Sequence, residues 1–425
     1  GEDLMSRVSY VMMNPDGREA MTKAVRQAVS DLVDKVCAEG GVARNDILDS
    51  VFVANPIMHH LFLGIDPTEL GQAPFALAVS GAVSCAASDI DLKLNPGART
   101  YLLPCIAGHV GADSAGATLA EGPHRQDRMM LLVDVGTNAE IVLGNRQRTV
   151  AASSPTGPAF EGAEISCGQR AAPGAIERVR IDPQTLEPRF KVIGVEQWSN
   201  EPGFAEAAEK TGITGICGSA IIEVVAEMYL SGVISADGVV DGAVAAKSPR
   251  ILENGRTFSY LLHDGAQKIT VTQNDVRAIQ LAKAALYAGI KLLMEKLGIE
   301  TVDTIRFAGA FGSFIDPKYA MVLGLIPDCD LSEVKAVGNA AGTGALMALL
   351  NRSHRREIEE TVTRIEKIET ALEPHFQQLF IDAMALPNKV DPFPKLAAVV
   401  ALPERKVLSE GEGDGGGRRR RRSRE

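Results

Sequence analysis

Residues 131–145 read LLVDVGTNAEIVLGN: an apolar run reaches Asp134, turns on Gly136-Thr137-Asn138, and becomes apolar again. That pattern describes two strands joined by a tight turn, and the turn's chemistry offers two uses. Gly136 lets the backbone come close to an anion, and the amides of Gly136, Thr137 and Asn138 can donate to phosphate oxygens as a nest does. The Thr137 hydroxyl adds a donor, and Asp134 at the strand end can hold Mg²⁺ through water. Gly-Thr-Asn after an aspartate is also a good hairpin turn, and the stretch alone favours that plainer reading. The rest of the chain decides between them.

At 425 residues the chain is too long for one small core, and 45% apolar content with 41 glycines suits a globular α/β protein of two or three lobes. Aromatic residues make up 5%, with one tryptophan, which argues against a carbohydrate-binding or base-stacking surface. From Met21 to Cys37 apolar residues recur at three and four, the spacing of an amphipathic helix. SVFVANP (50–56) reads as a buried strand ending at Asn-Pro. YLLPCIAGHVGADSAGATLAEG (101–122) reads as a short strand, a proline and a helix of small residues. Gly108, Gly111, Ala115 and Gly116 let that helix approach another backbone closely, and the linker GPHRQDR then marks a lobe boundary.

After the Gly-Thr-Asn turn comes a small-residue loop, SSPTGPAFEGAEISCG (153–168), then a strand-rich insertion from about Pro173 to Lys210. Residues 211–234 are a glycine loop running into an amphipathic helix. Thr272, with Asp275 three residues on, caps a long helix that ends at Gly298. TIRFAGAFGSFID (304–316) is a strand feeding another glycine loop, and VGNAAGTGALMALL (337–350) is a second small-residue helix. The segment 354–386 is strongly helical in composition.

The formal charge of −10 conceals an asymmetry. Setting aside the six arginines and one glutamate of residues 418–425 leaves 38 basic against 53 acidic residues, a body charge of −15. So acidic a body is a poor nucleic-acid binder, and the Gly/Arg tail, 404–425, is expected to be disordered. No apolar run approaches the roughly 18–20 residues that cross a bilayer. The first residues, GEDLMSRVSY, have no signal-peptide layout and no initiator Met, which suggests a piece of something longer. The six cysteines are scattered, without a CxxC pair or a nearby histidine. They form neither an iron–sulfur nor a zinc site and suit the reduced thiols of cytoplasm. His59-His60 lacks a third ligand at workable spacing and reads as packing.

A proline and small-residue helix before the DVGTN hairpin, then FAGAFGSF, then a second small-residue helix, is the order found in the ATPase superfamily of actin, hexokinase and the heat-shock chaperones. Within it, VFVANPIMHHLFLGIDPTELGQAPF, PCIAGHVGADSAGATLA, LLVDVGTNAEIVLGN, SPTGPAFEGAEISCG, GICGSAIIEVVAEMYLSGVI, FAGAFGSFID and DPFPKLAAVVALP resemble the ATPase region of the reductive activators of corrinoid proteins. The resemblance runs from Gly1 to roughly Pro403. It implies an α/β, two-lobed actin-like ATPase fold with ribonuclease-H-like lobes. Residues 1–122 would be the remainder of an incomplete first lobe, and 129–403 the second.

The resemblance further implies that Mg-ATP lies in the cleft against 134–138 and 309–312, with Gly309 and Gly312 bordering adenine and ribose. Asp134, Gly136, Thr137, Asn138, Glu140, Gly157, Glu161, Gly309 and Gly312 are the expected nucleotide-binding set, with Asp134 on Mg²⁺ through water. The implied activity is return of a corrinoid cofactor from Co(II) to Co(I) by one electron from a 2Fe–2S centre, made favourable by ATP-linked conformational change. The implied partner is a corrinoid iron–sulfur or corrinoid methyltransferase protein, and a homodimer is compatible with it. Two of the family's features are missing: the N-terminal 2Fe–2S domain, where that cluster is expected, and an earlier DIGTT phosphate hairpin. Two other readings stay open, a non-catalytic module that docks the corrinoid protein and a small-molecule kinase of the same superfamily. A kinase needs a general-base aspartate, and Asp113 is set aside because it lies on the hinge helix.

Other residues have competing uses. Glu161 and Glu164 could position a water or Mg²⁺, or serve as caps or arginine partners. Glu140 faces either the site or solvent. Gly215, Gly218 and Ser219 open a helix that could meet an anion or simply enter tightly. Cys167 and Cys217 have no evident base and are not read as nucleophiles.

Overall fold

The computed structural model describes residues 4–404, so nearly all of the 404–425 tail lies outside the described residues. Two sheets organise the chain. The larger has six strands in the order Val334–Gly338, Thr304–Ala308, Met130–Val135, Ala139–Gly144, Thr149–Ser154, Glu366–Lys367. The three strands between Met130 and Ser154 form an antiparallel meander. Thr304–Ala308 runs parallel to Met130–Val135 and Val334–Gly338 parallel to it in turn. This is the strand order of a ribonuclease-H-like sheet, as the α/β reading expects. The smaller sheet has three strands, Asp49–Phe52, Arg99–Leu102 and Val83–Ala86, with the first two parallel and Asp49–Phe52 at an edge.

Each sheet sends its chain into one of the small-residue helices, Ala112–Glu121 and Ala340–Leu350, and these two pack on each other across the lobes. The approach demands glycine. A β-carbon on Gly116 would stand 2.8 Å from the carbonyl oxygen of Ala341, and one on Gly344 would run into the carbonyl of Gly116. A second connection braces the same side: in helix Arg352–Arg364, Arg355 donates to Asp49 at 2.7 Å, and Glu359 accepts from Tyr101 at 2.7 Å.

Local chemistry sets the other elements. The Thr272–Asp275 capping box closes as the spacing predicts, with the Thr272 amide 2.7 Å from an Asp275 carboxylate oxygen. Helix Gln273–Leu297 then runs behind the meander and ends at Gly298 with φ 69°. The amphipathic helix expected at 21–37 extends over Gly17–Gly40, stopped by left-handed Gly41.

Three expectations are corrected. The segment 354–386 is not one helix: it breaks at Arg364 because Glu366–Lys367 pairs with Val150–Ala151 as the sheet's last strand, and helix resumes only at Phe376–Asp382. The insertion is one hairpin, Ala175–Ile181 with Pro188–Val192, followed by helix Phe204–Thr211. Helix Gly218–Leu230 is not amphipathic, for Gly218 through Tyr229 are all buried. Its Glu223 and Glu227 accept from the amides of Val179 (2.8 Å) and Ile181 (3.0 Å), so two carboxylates one helical turn apart finish the strand edge beyond its short parallel pairing with Gly215–Ile216. Arg178 and Arg180 neutralise Glu223. A further three-stranded sheet over Ile251–Asn254, Thr257–Asp264 and Lys268–Val271 had no expectation attached.

Candidate functional site: a phosphate turn beside an apolar pocket

The 131–145 stretch is the hairpin its pattern describes, with Asp134 directly opposite Glu140 in the antiparallel register. Within its turn the Gly136 amide donates to the Asn138 carbonyl at 3.2 Å. Gly136 therefore shapes the turn, with its amide engaged inside the hairpin in this conformation. The amides of Thr137 and Asn138 have no backbone acceptor among the described residues, and they are the donors left to meet an anion. The following loop clips onto the turn. Gly157 (φ 71°) donates its amide to the Thr137 carbonyl at 2.9 Å, and the Thr156 hydroxyl donates to the Gly136 carbonyl at 2.6 Å. The Thr137 hydroxyl donates to Glu161 at 3.0 Å, tying the turn to the 158–161 helical turn.

Asp134 ends its strand beside Ala308, its parallel neighbour. The next residue, Gly309 (φ 83°), presents a bare α-carbon to the Asp134 carboxylate, and a β-carbon there would collide with Oδ1. Gly309 thus lies against the phosphate turn, and Gly312 packs on the Phe307 backbone. The residues between and after them, Ala310, Phe311 and Phe314, are the ones that line a cavity. FAGAFGSF is a strand end and a single helical turn, Gly309–Gly312, where a loop was expected.

Sequence reasoning missed Asp113. It occupies the first turn of the hinge helix Ala112–Glu121, and its position there was the reason for setting it aside, yet that helix packs against the two strands that carry Asp134 and Glu140. Burial, with the Asp134 charge adding to it, pushes the Asp113 carboxyl up to about 6, although the Ser114 amide at 2.8 Å opposes the shift. Burial raises Asp134 as well. Glu140 is raised well above the ordinary carboxylate range, by burial first and then by Asp113 and Asp134. Two carboxylates directly opposite on neighbouring strands repel, and a third from the other lobe makes full ionisation costly. Such a cluster holds a proton or attracts a cation. Among the described residues no three histidine, cysteine or acidic groups are placed to grip a metal ion directly.

Two cavities open beside the turn. One, of 760 Å³, is lined by Thr137, Asn138, Gly157, Glu164 and, from the N-terminal helix Leu4–Met13, Ser6. The other, of 680 Å³, is more apolar, with Ile193, Gly218, Ala310, Phe311 and Phe314 in its wall. Glu161 and Arg170 line both, so the two are neighbours. The start of helix Gly218–Leu230 faces the apolar cavity, not the phosphate turn.

The remaining candidates have other roles. His60 bridges the Pro56 carbonyl (2.8 Å) and the Ala78 amide (3.1 Å), and buried His59 is pushed down to about 4 by desolvation. Both are packing residues, as read. His109 lies in the loop before the hinge helix and packs its ring against Phe75 in a tilted contact. All six cysteines are free.

Comparison with known proteins bears on the family and the fold. Residues 128–397 match the family described as the C-terminal domain of RACo, the ASKHA domain, and residues 1–126 match the RACo middle region. The chain is 34% identical over 394 residues to the corrinoid activation enzyme RamQ of Eubacterium limosum, covering 90% of this chain and 63% of that protein. It is 29% identical over 275 residues to the Co(II) methylated amine-specific corrinoid protein reductase of Methanosarcina barkeri, covering 62% of this chain and 46% of that one. A solved reductive activator for corrinoid,iron-sulfur protein superposes with a TM-score of 0.76 at 32% identity, covering 91% of this chain and 60% of the other. The chain therefore spans less than two thirds of the length of these relatives. With its middle region and its ASKHA domain both matched, the chain belongs to the RACo family of reductive activators of corrinoid proteins.

Proposed function

We propose that this chain is the nucleotide-driven part of a reductive activator: it binds Mg-ATP between its lobes and uses it to drive return of a corrinoid protein from Co(II) to Co(I). The observation that carries the reading is the placement of Asp113, from the hinge helix, with Asp134 and Glu140 at the phosphate turn. A site that draws charge from both lobes is sensitive to what lies between them.

The residues fit the expected ligands. The Thr137 and Asn138 amides and the Thr137 hydroxyl would meet phosphate oxygens, and the apolar cavity at Phe311 would take the nucleoside. Asp134, Glu140 and Asp113 would hold the waters of Mg²⁺, which supplies charge neutralisation of the phosphates when bound. Asp113, largely ionised at neutral pH, is suited to accept a proton from a water aimed at the terminal phosphate. Because Asp113 opens a helix packed at Gly116 on Gly344, a pull on its carboxylate acts on the interlobe crossing. The electron would come from a 2Fe–2S centre outside this chain, and the corrinoid protein is the partner. No described helix is long and apolar enough to cross a membrane, and the six free thiols fit a cytoplasmic setting.

Calorimetric titration of Mg-ATP into the wild type and Asp134→Ala tests this. The reading expects saturable binding that weakens at least about tenfold in the variant, one tenfold step being about 1.4 kcal/mol. Binding that is unaffected by the substitution would overturn the site. A complete lack of binding would favour the docking-module reading.

A further inference from the structure

The apolar cavity has few polar groups, and most of them are spoken for. Glu161 and Arg170 belong also to the phosphate cavity and so mark the end nearest the turn. Ser219, at the start of helix Gly218–Leu230, donates its hydroxyl to the backbone carbonyl of Glu177 at 3.0 Å, and the Cys217 sulfur lies 3.4 Å from the same hydroxyl. That leaves the Glu177 carboxylate. Glu177, part-buried on strand Ala175–Ile181, lines the wall together with Ile193, Phe311 and Phe314, and no ion pair or hydrogen bond engages its carboxylate among the described residues.

A carboxylate in the wall of an apolar cavity loses its water when a ligand fills that cavity, a cost that only a donor on the ligand offsets. Binding cavities of this kind take their specificity from a small number of such groups. Building on the nucleotide reading above, we infer that Glu177 is a specificity-determining residue, accepting a hydrogen bond from a donor on the bound nucleoside. Adenosine offers that chemistry at two places, the 6-amino group of the base and the ribose hydroxyls. A nucleoside lacking the matching donor leaves the carboxylate desolvated and unpaired, and a site built around a polar partner rejects such analogues strongly. The strand position matters to the effect. Val179, two residues along, is pinned by Glu223, so the strand cannot swing Glu177 out of the wall.

The test is a set of titrations of wild type and Glu177→Leu with Mg-ATP, with purine riboside 5′-triphosphate (no 6-amino group), and with 2′-deoxy- and 3′-deoxy-ATP. In the wild type one analogue class is expected to bind about tenfold or more weakly than ATP. In Glu177→Leu ATP loses its advantage over this analogue, and the ratio of the two affinities falls to about one. Loss in the purine riboside arm assigns the donor to the base, and loss in a deoxy arm assigns it to the sugar. Equal weakening of ATP and every analogue in Glu177→Leu, or no weakening of any, overturns the inference while leaving the nucleotide site intact. If wild type binds none of the four, the nucleotide reading fails and this inference fails with it. Near-ultraviolet circular dichroism of Glu177→Leu confirms that the variant is folded.

Discussion

The two lobes contain the same unit, used differently. In the larger sheet the parallel pair Thr304–Ala308 and Val334–Gly338 leads into helix Ala340–Leu350. In the smaller sheet the parallel pair Asp49–Phe52 and Arg99–Leu102 leads into helix Ala112–Glu121. The helices meet at Gly116 and Gly344, one contributed by each unit. The difference lies on the inner side of each pair. Thr304–Ala308 has a further parallel neighbour, the strand that carries Asp134 and the phosphate turn. Asp49–Phe52 has no second neighbour among the described residues. The C-terminal unit thus presents the 134–138 turn, while the N-terminal unit comes toward it through Asp113, at the start of its helix, and through Ser6 in the neighbouring cavity. On the proposed function, a shared unit that contributes a turn from one lobe and a titratable carboxylate from the other gives a site whose completeness depends on how the lobes sit.

Perturbing the crossing itself should have the largest effect. Gly344→Val puts branched carbon into the Gly116 backbone. Thermal unfolding should show a loss of about 3 kcal/mol or more, at the upper end of overpacking costs, because backbone cannot rotate aside as a side chain can. Next comes Glu223→Ala. It removes a fully buried carboxylate and leaves Arg178, Arg180 and the Val179 amide short of a partner, for an expected loss of about 3 kcal/mol. A loss below about 1 kcal/mol in denaturant titration would show that the carboxylate edge is dispensable.

Asp113→Asn sharpens the comparison by acting in the opposite direction. Raised from 3.8 to about 6, the native carboxyl binds its proton more tightly folded than unfolded. Its contribution is therefore favourable below pH 4 and is lost as pH rises through about 6. Replacing it should raise stability at pH 7 by about 1–2 kcal/mol, an upper range given its partial exposure, while slowing any ATP hydrolysis. The same linkage predicts that Mg-nucleotide binding tightens between pH 5 and 7, as Asp113 ionises; a flat profile would remove Asp113 from the site. Gly309→Ala is the smallest change. The left-handed φ and the collision with Asp134 predict about 1–2 kcal/mol of destabilisation, with weakened nucleotide binding as the distinguishing sign.

Much of this architecture was legible in the residues. The hairpin, the capped central helix and both small-residue helices follow from local rules of turn, cap and spacing, which depend on neighbours in the chain. Helix Gly218–Leu230 was misread as amphipathic because its two glutamates are buried by partners 44 to 46 residues away, and no local pattern carries that. Asp113 was missed for a related reason. A carboxylate at the start of a helix is ordinary in sequence, and only the crossing of two distant helices turns it toward Asp134. The break at Arg364 likewise comes from a strand position that Val150 and Ala151 offer, against the local helical preference.

The central claim is that nucleotide at the Asp134 turn changes how the two units sit. Spin labels at Leu32→Cys on the N-terminal lobe and Val239→Cys on the C-terminal one, both exposed, report that directly by dipolar distance measurement. The half-buried Cys85 and Cys167 would be replaced by serine beforehand. Mg-ATP should shift and narrow the distance distribution, and the shift should vanish with Asp134→Ala. Nucleotide that binds with full affinity and leaves the distribution unchanged would contradict the account.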